Sequence, residues 1–238
     1  MEGAGLAPDP WQRRLLESSA MRVLLLCSRQ SGKSMATAAI VLAEALAHPD
    51  ALVLVVCPAE RQSKEFLADK VLKLYNANGR PLDIGSESTL HLELGNGSRI
   101  LALPGNEATL RGFSGARMIV LDEAARIPDA LYYSLRPVLA VSKGRLLVMS
   151  TPFGKRGFFH TEYTEGGDDW HRVKVTADQC PRITPEFLEE ERRRLPDLWF
   201  RTEYLVEFVE ALDQVFKYDD IQAMSDPTIV PLFPLEVV

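Results

Sequence analysis

The sequence predicts an α/β fold, with a mostly parallel central sheet flanked by helices. Two observations carry that reading. Short branched-aliphatic runs recur along the chain without the alternation of half-exposed strands, and helical patterns separate several of them. The first run, "MRVLLLC" (21–27), leads through "SRQSG" into "KSMATAAIVLAEALA" (33–47), an Ala-rich helical pattern. "ALVLVVC" (51–57) is followed by the helical "ERQSKEFLADKVLKLY" (60–75), and further strand candidates are "SRILAL" (98–103) and "RMIVLD" (117–122). "DALYYSLRPVL" (129–139) reads as a helix that Pro137 interrupts or ends; "RLLVMS" (145–150) and "HRVKV" (171–175) complete the strands. Beyond about residue 176 the pattern changes. "PEFLEEERRRLPDLWFRTEYLVEFV" (185–209) reads as two amphipathic helices divided near Pro196, a small helical appendage. "SDPTIVPLFPLEVV" (225–238) has three prolines and no periodicity, as in a linker or a ragged end.

Composition narrows the function classes. With 238 residues, 46% hydrophobic and 25% charged, the chain has the makeup of an ordinary globular protein. Cys27, Cys57 and Cys180 show no C-x-x-C spacing, which argues against a disulfide framework or zinc site and fits a reducing compartment. No apolar run approaches the roughly 20 residues that span a bilayer, and "MEGAGLAPDP" is no signal peptide, so a soluble, non-secreted protein is expected. The net charge of −6 argues against a surface built mainly to bind phosphate backbones. Any nucleic-acid contact is expected to be local, transient or shared with other chains.

Three motifs fall at the ends of apolar strands. In "VLLLCSRQSGKS" (23–34) the tripeptide Gly32-Lys33-Ser34 sits between a strand and a helix, the setting of a phosphate-binding loop, although Cys27 stands where the usual spacing wants its first glycine. The backbone N–H groups of residues 29–34 would cradle phosphates at a helix N-terminus, with Lys33 adding a point charge and Ser34 a hydroxyl for Mg²⁺. Ser28, Arg29, Gln30 and Ser31 complete the candidate loop, and Arg29 lies where γ-phosphate charge must be met. A structural turn with an exposed lysine is the competing reading. In "RMIVLDEAARIP" Asp122 ends a strand at the same sheet edge, positioned to hold the metal's water shell, and Glu123 is positioned to take a proton from an attacking water. The bland alternative for Asp122 is a helix cap. "LLVMSTPFG" ends a strand in Ser150-Thr151-Pro152, two hydroxyls placed to sense a γ-phosphate, or else ordinary strand-ending turn chemistry. The conjunction, in order, favours a nucleotide hydrolase.

With these motifs the sequence resembles the ATPase domain of the large terminase subunit, the DNA-packaging motor of tailed bacteriophages. "DPWQRRLLES" (9–18) is similar to the family's adenine-side glutamine motif, "CSRQSGKS" to its deviant Walker A, "TLRGFSGARMIVLDEAARIP" to its Walker B region, "MSTPFGKRGFF" to its coupling motif and "FRTEYLVEFVEALDQVF" (200–216) to its closing segment. The resemblance implies a P-loop NTPase of the additional-strand, catalytic-glutamate type. Residues 1–212 would form the ATPase domain, with a helical lid over about 177–212, and 213–238 a linker toward a nuclease domain. It implies ATP and Mg²⁺ as cofactors, Gln12 on adenine, Lys33 and Ser34 on phosphates and metal, Asp122 on metal, Glu123 on the hydrolytic water, and Ser150-Thr151 in coupling. Arg111 matches an arginine that some members offer to a neighbouring subunit's nucleotide, with Arg29 its rival from within the loop; Arg117 and Arg126 are weaker candidates. The implied partners are double-stranded DNA, a portal protein, the small terminase subunit and further copies in a ring, with a monomer in isolation, in the cytoplasm of an infected bacterial host. Nuclease activity is not expected, since Asp219 and Asp220 read as solvated charge. A helicase-like ATPase and a non-hydrolysing nucleotide-binding assembly module are the alternatives.

Overall fold

The structure is a computed structural model, and it describes residues 1–105, 112–210 and 224. In chain order the main elements are α1 (Pro10–Glu17), β1 (Arg22–Cys27), α2 (Lys33–Ala47), β2 (Leu52–Cys57), α3 (Glu60–Phe66), a π-helical stretch (Leu67–Leu72), α4 (Lys73–Ala77), β3 (Ile84–Glu87), β4 (His91–Leu94) and β5 (Arg99–Pro104). They continue with β6 (Met118–Asp122), α5 (Asp129–Leu135), β7 (Arg145–Ser150), α6 (Gly157–Thr164), β8 (His171–Val175), α7 (Pro185–Arg194) and α8 (Asp197–Glu203).

The strands form one sheet in the order β3-β4-β5-β2-β6-β7-β1-β8. From β5 to β8 every neighbouring pair is parallel. β3 and β4 add an antiparallel edge. The mostly parallel sheet flanked by helices is thus as the sequence predicts, and β7, lying between β1 and β6, is the additional strand of the P-loop type.

The missing alternation in the apolar runs has a direct cause: each face of a strand packs into a different core. Val23, Leu25 and Cys27 of β1 join Val53, Val55, Val120 and Met149 beneath α1, α2 and α4. Leu24 and Leu26 turn to the other side, with Leu54, Val56, Leu121 and Val148, against Leu131 and Tyr132 of α5 and Phe158 and Phe159 of α6. Fully burying a large aliphatic side chain contributes about 1.5–3 kcal/mol, so continuous apolar strands are what two helical layers demand.

Several elements depart from expectation. The helix over 60–75 is real but contains the π-helical stretch and runs on to Ala77. Pro137 lies in a 3-10 turn (Arg136–Leu139) that closes α5. The pair of helices around Pro196 is present, yet the second stops at Glu203, because the chain then turns left-handed at Val206 (φ 51°) to bury that side chain. The hairpin β3–β4 was not expected: β3 is largely exposed and carries no apolar run.

Candidate functional site

The loop between β1 and α2 is held from behind. Cys27 is the last residue of β1, fully buried and paired with Val175 of β8; burial pushes its thiol up to about 12. The left-handed positions lie further on, at Gln30 (φ 59°) and Gly32 (φ 86°), so Cys27 needs none of glycine's freedom. Gly32 does: its φ is positive, and a Cβ there would lie 2.6 Å from Gln12 Nε2.

Gln12, on α1, is buried, and its amide is engaged at both ends. Oε1 accepts from the Asp9 amide at 2.9 Å, while Nε2 donates to the carbonyls of Ser31 at 3.5 Å and Gly32 at 3.2 Å. Arg182, just before α7, grips Asp9 through both carboxylate oxygens at 2.9 and 2.7 Å and also donates to the Ser31 carbonyl at 2.9 Å. In a trans peptide the carbonyl and the following N–H point in opposite directions. Fixing the carbonyls of Ser31 and Gly32 on this side therefore turns the amides of Gly32 and Lys33 away from it, to where α2 presents its unpaired first-turn N–H groups. The resemblance implies Gln12 on the adenine of a nucleotide; its contacts in this structure are with the loop and Asp9. Asp9 and Arg182 were not anticipated, since their partnership spans most of the chain.

The opposite wall carries the charged groups. Lys33 Nζ is 3.1 Å from Glu123 Oε1, both side chains being largely buried. Ser34 Oγ donates to Asp122 Oδ2 at 3.4 Å, and Asp122 Oδ1 accepts the Glu123 amide at 2.9 Å. Glu123 itself is left-handed (φ 50°), a sharp turn out of β6 that a non-glycine residue adopts at some cost. Burial, reinforced by the neighbouring Glu123 charge, pushes the Asp122 carboxyl from 3.8 to about 6. Ser150 ends β7 beside Leu26 of β1, and Thr151 follows; both are buried, and the Ser150 hydroxyl has no hydrogen-bond partner among the described residues. Thr37 of α2 donates to Met149 Sδ at 3.2 Å, tying the loop's helix to the same strand.

A cavity of about 520 Å³ opens over Lys33, Ser34 and Glu123. The cations Arg29, Lys33, Arg61, Lys70 and Arg126 line it against the carboxylate of Glu123. Such a surplus of positive charge, at a helix N-terminus, suits a polyanion. Arg61 and Lys70 went unread in the sequence, although α3 starts where β2 ends, at the same sheet edge. Arg29 is paired at 2.7 Å with Glu203 of α8, and its amide donates to the Glu203 carbonyl. Ser28 and Ser31 are buried in the loop, Ser28 beside Cys180, and Gln30 faces the cavity. Arg117 lies away from this edge, before β6, paired with Glu44 of α2. Arg111 lies outside the described residues. The donors Ser34 and Asp122 are all oxygen, the set that Mg²⁺ prefers and zinc does not.

Residues 24–223 match the family model "Terminase large subunit, T4likevirus-type, N-terminal". The chain is 26% identical to the terminase large subunit of Thermus phage G20c across 89% of its own length and 51% of that protein. It is 29% identical to the terminase large subunit of Escherichia phage T5, across 84% and 47% respectively. The chain thus spans about half the length of these curated relatives. Among solved structures it is similar to the large terminase ATPase domain of Thermus phage P74-26, with a TM-score of 0.76 and 25% identity, covering 87% of this chain and 96% of that one. By the extent of the family match, the chain belongs to the large-subunit terminases of the T4likevirus type and carries their N-terminal region.

Proposed function

We propose that this chain is the ATP-hydrolysing motor domain of a large terminase, powering translocation of double-stranded viral DNA into a procapsid. The observation that carries the reading is the convergence of Lys33, Ser34 and Glu123 on one cation-lined cavity, with Asp122 joined to Ser34 beside it. The similarity to a solved large terminase ATPase domain supports the same chemistry.

Gly32 and Lys33 amides and the first turn of α2 hold the β- and γ-phosphates, and Lys33 adds its charge. Ser34 and Asp122 would hold Mg²⁺, which would supply positive charge to offset that developing on the phosphates. Lys33 is shared with Glu123 in this structure. A bound triphosphate competes for that lysine and releases the Glu123 carboxylate to accept a proton from the attacking water. Arg29 and Arg111 supply charge at the γ-phosphate, Arg111 to a neighbouring subunit, where such fingers are typically worth ~10³ to 10⁵ in rate. Gln12 acts first as the holder of the loop and, beyond that, as a recognition residue for adenine. Ser150 and Thr151 couple the state of the site to β7.

The lid reading over about 177–212 is supported by Arg182 and Glu203, which reach back to the loop from this region. The partners proposed are DNA, a portal, a small terminase subunit and copies of the chain in a ring, acting in the infected host's cytoplasm. Among the described residues no helix is long and apolar enough to cross a membrane.

The test is Glu123→Gln. ATP binding with Mg²⁺ is expected to persist within a few-fold while hydrolysis falls by at least ~10²-fold, the range for a lost general base. Hydrolysis at the wild-type rate in this variant would remove Glu123 from the mechanism, and no hydrolysis by the wild type, alone or assembled on DNA and portal, would leave only a binding module.

A further inference from the structure

Arg126 lies on the boundary between two cavities. It lines the one over the loop, with Lys33, Ser34 and Glu123, and it also lines a second, of about 270 Å³, between the segment after β7 and helix α8. It ends a 3-10 turn (Ala124–Arg126), and its amide donates to the Glu123 carbonyl at 2.9 Å, so its backbone is tied to the base candidate. Its side chain is exposed and forms an ion pair with none of the described acidic residues. It rests instead on Phe153, its guanidinium carbon 4.3 Å from the ring centroid.

Phe153 directly follows Ser150-Thr151-Pro152 and precedes Gly154, which is left-handed (φ 75°). A second guanidinium, that of Arg156, lies 4.7 Å from the same ring. Two like charges on one ring repel each other, and a ring quadrupole holds an exposed cation only weakly. A triphosphate in the first cavity offers Arg126 a far stronger counter-charge, and a diphosphate places that charge further away. Phe153 also lines the second cavity, together with Leu198, Trp199 and Glu203 of α8, and Glu203 is the partner of Arg29.

We propose that Arg126 reads the γ-phosphate and transmits its presence through Phe153 to the α8 side of the second cavity. The inference rests on the nucleotide site proposed above and adds a path from that site to the helical region. Arg126 is a sensing residue on the phosphate and Phe153 a positioning residue behind it. Trp199, half-exposed in the second cavity, is a built-in reporter of the path.

The experiment measures binding of ADP and of a non-hydrolysable β,γ-imido ATP, both with Mg²⁺, together with tryptophan emission; Trp199→Phe identifies the part of the signal that Trp199 contributes. In the wild type the triphosphate analogue, and not ADP, is expected to change Trp199 emission. Arg126→Ala is expected to weaken the analogue by about tenfold relative to ADP and to remove the emission change. Phe153→Leu is expected to keep the analogue-to-ADP ratio within twofold yet remove the emission change, and Arg126→Lys to retain most of the ratio but not the signal. Equal weakening of both nucleotides in Arg126→Ala, or an intact emission change in Phe153→Leu, would overturn the proposal while leaving the nucleotide site standing. Failure of the wild type to bind either nucleotide would remove the site itself and the proposal with it.

Discussion

The floor of the loop and the rim above it differ in what holds their polar groups. On the floor, the carbonyls of Ser31 and Gly32 are tied to Gln12 and Arg182, and Gln12 is tied in turn to Asp9; the contacts are partly or wholly buried and engage the backbone. On the rim, the charges are satisfied by one another: Lys33 by Glu123, and Arg29 by Glu203. Backbone contacts of the first kind fix a shape before any ligand arrives. Side-chain pairs of the second kind exchange when a stronger counter-charge enters. A site that binds and releases an anion repeatedly, as proposed here, is served by both a preformed cradle and exchangeable charges.

Substitutions on the floor are therefore expected to cost stability, and Gly32→Ala most. A left-handed non-glycine residue costs roughly 1–2 kcal/mol, and the new Cβ would displace the Gln12 amide, leaving buried groups unpaired at a further ~1–3 kcal/mol. The expected loss of about 2–5 kcal/mol lowers Tm by roughly 4–20 °C at this chain length, measurable by calorimetry. An unchanged Tm would mean that Gly32 is not held as described.

Gln12→Ala separates the floor's hydrogen bonds from its backbone strain. It removes donors to Ser31 and Gly32 and the acceptor for the Asp9 amide, at about 2 kcal/mol. A fall in Tm of several degrees is expected, together with weaker binding of ADP and ATP alike. A loss confined to discrimination between adenine and guanine nucleotides, with Tm unchanged, would instead assign Gln12 to the base alone.

How much of this contrast the sequence carried depends on the distance over which each contact acts. The strands β1, β2, β6 and β7 were legible because burial on both faces forces unbroken apolar runs, and Lys33, Ser34, Asp122 and Glu123 because strand ends place them at one edge. Cys27 read correctly as the end of a buried strand. The hairpin β3–β4 was missed because β3 is exposed, although "HLEL" in β4 does alternate. Asp9 with Arg182, and Arg29 with Glu203, join positions that no local pattern relates. The π-helical stretch in 67–72 likewise has no counterpart in a periodicity read at 3.6 residues per turn.

The rim carries a stability cost that pH can expose. The Asp122 carboxyl is pushed up to about 6 from 3.8, so the folded chain holds this proton more tightly than the unfolded chain. Between those values folding takes up a proton, and stability falls as pH rises through about 6. Asp122→Asn removes that charge. In the absence of nucleotide and metal, Tm is expected to rise by several degrees at about pH 7.5, with the gain shrinking toward zero as pH approaches about 4. A gain that stays constant with pH would place its origin elsewhere than in the charge.

The smallest stability effect is expected at the pair Arg29–Glu203, where the arginine side chain is 63% exposed. Exposed ion pairs contribute about 0–1 kcal/mol, so Glu203→Gln is expected to change Tm by no more than ~2–4 °C. Its effect belongs to the ligand equilibrium. On the proposed function Glu203 would compete with a bound phosphate for the Arg29 guanidinium, and weakening the pair would free the arginine without disturbing the loop carbonyls. Binding of a triphosphate should tighten by a few-fold in Glu203→Gln, and the difference should narrow as salt screens the exposed pair. If affinity falls instead, Glu203 is holding Arg29 in the orientation the phosphate needs, and the rim is as preformed as the floor.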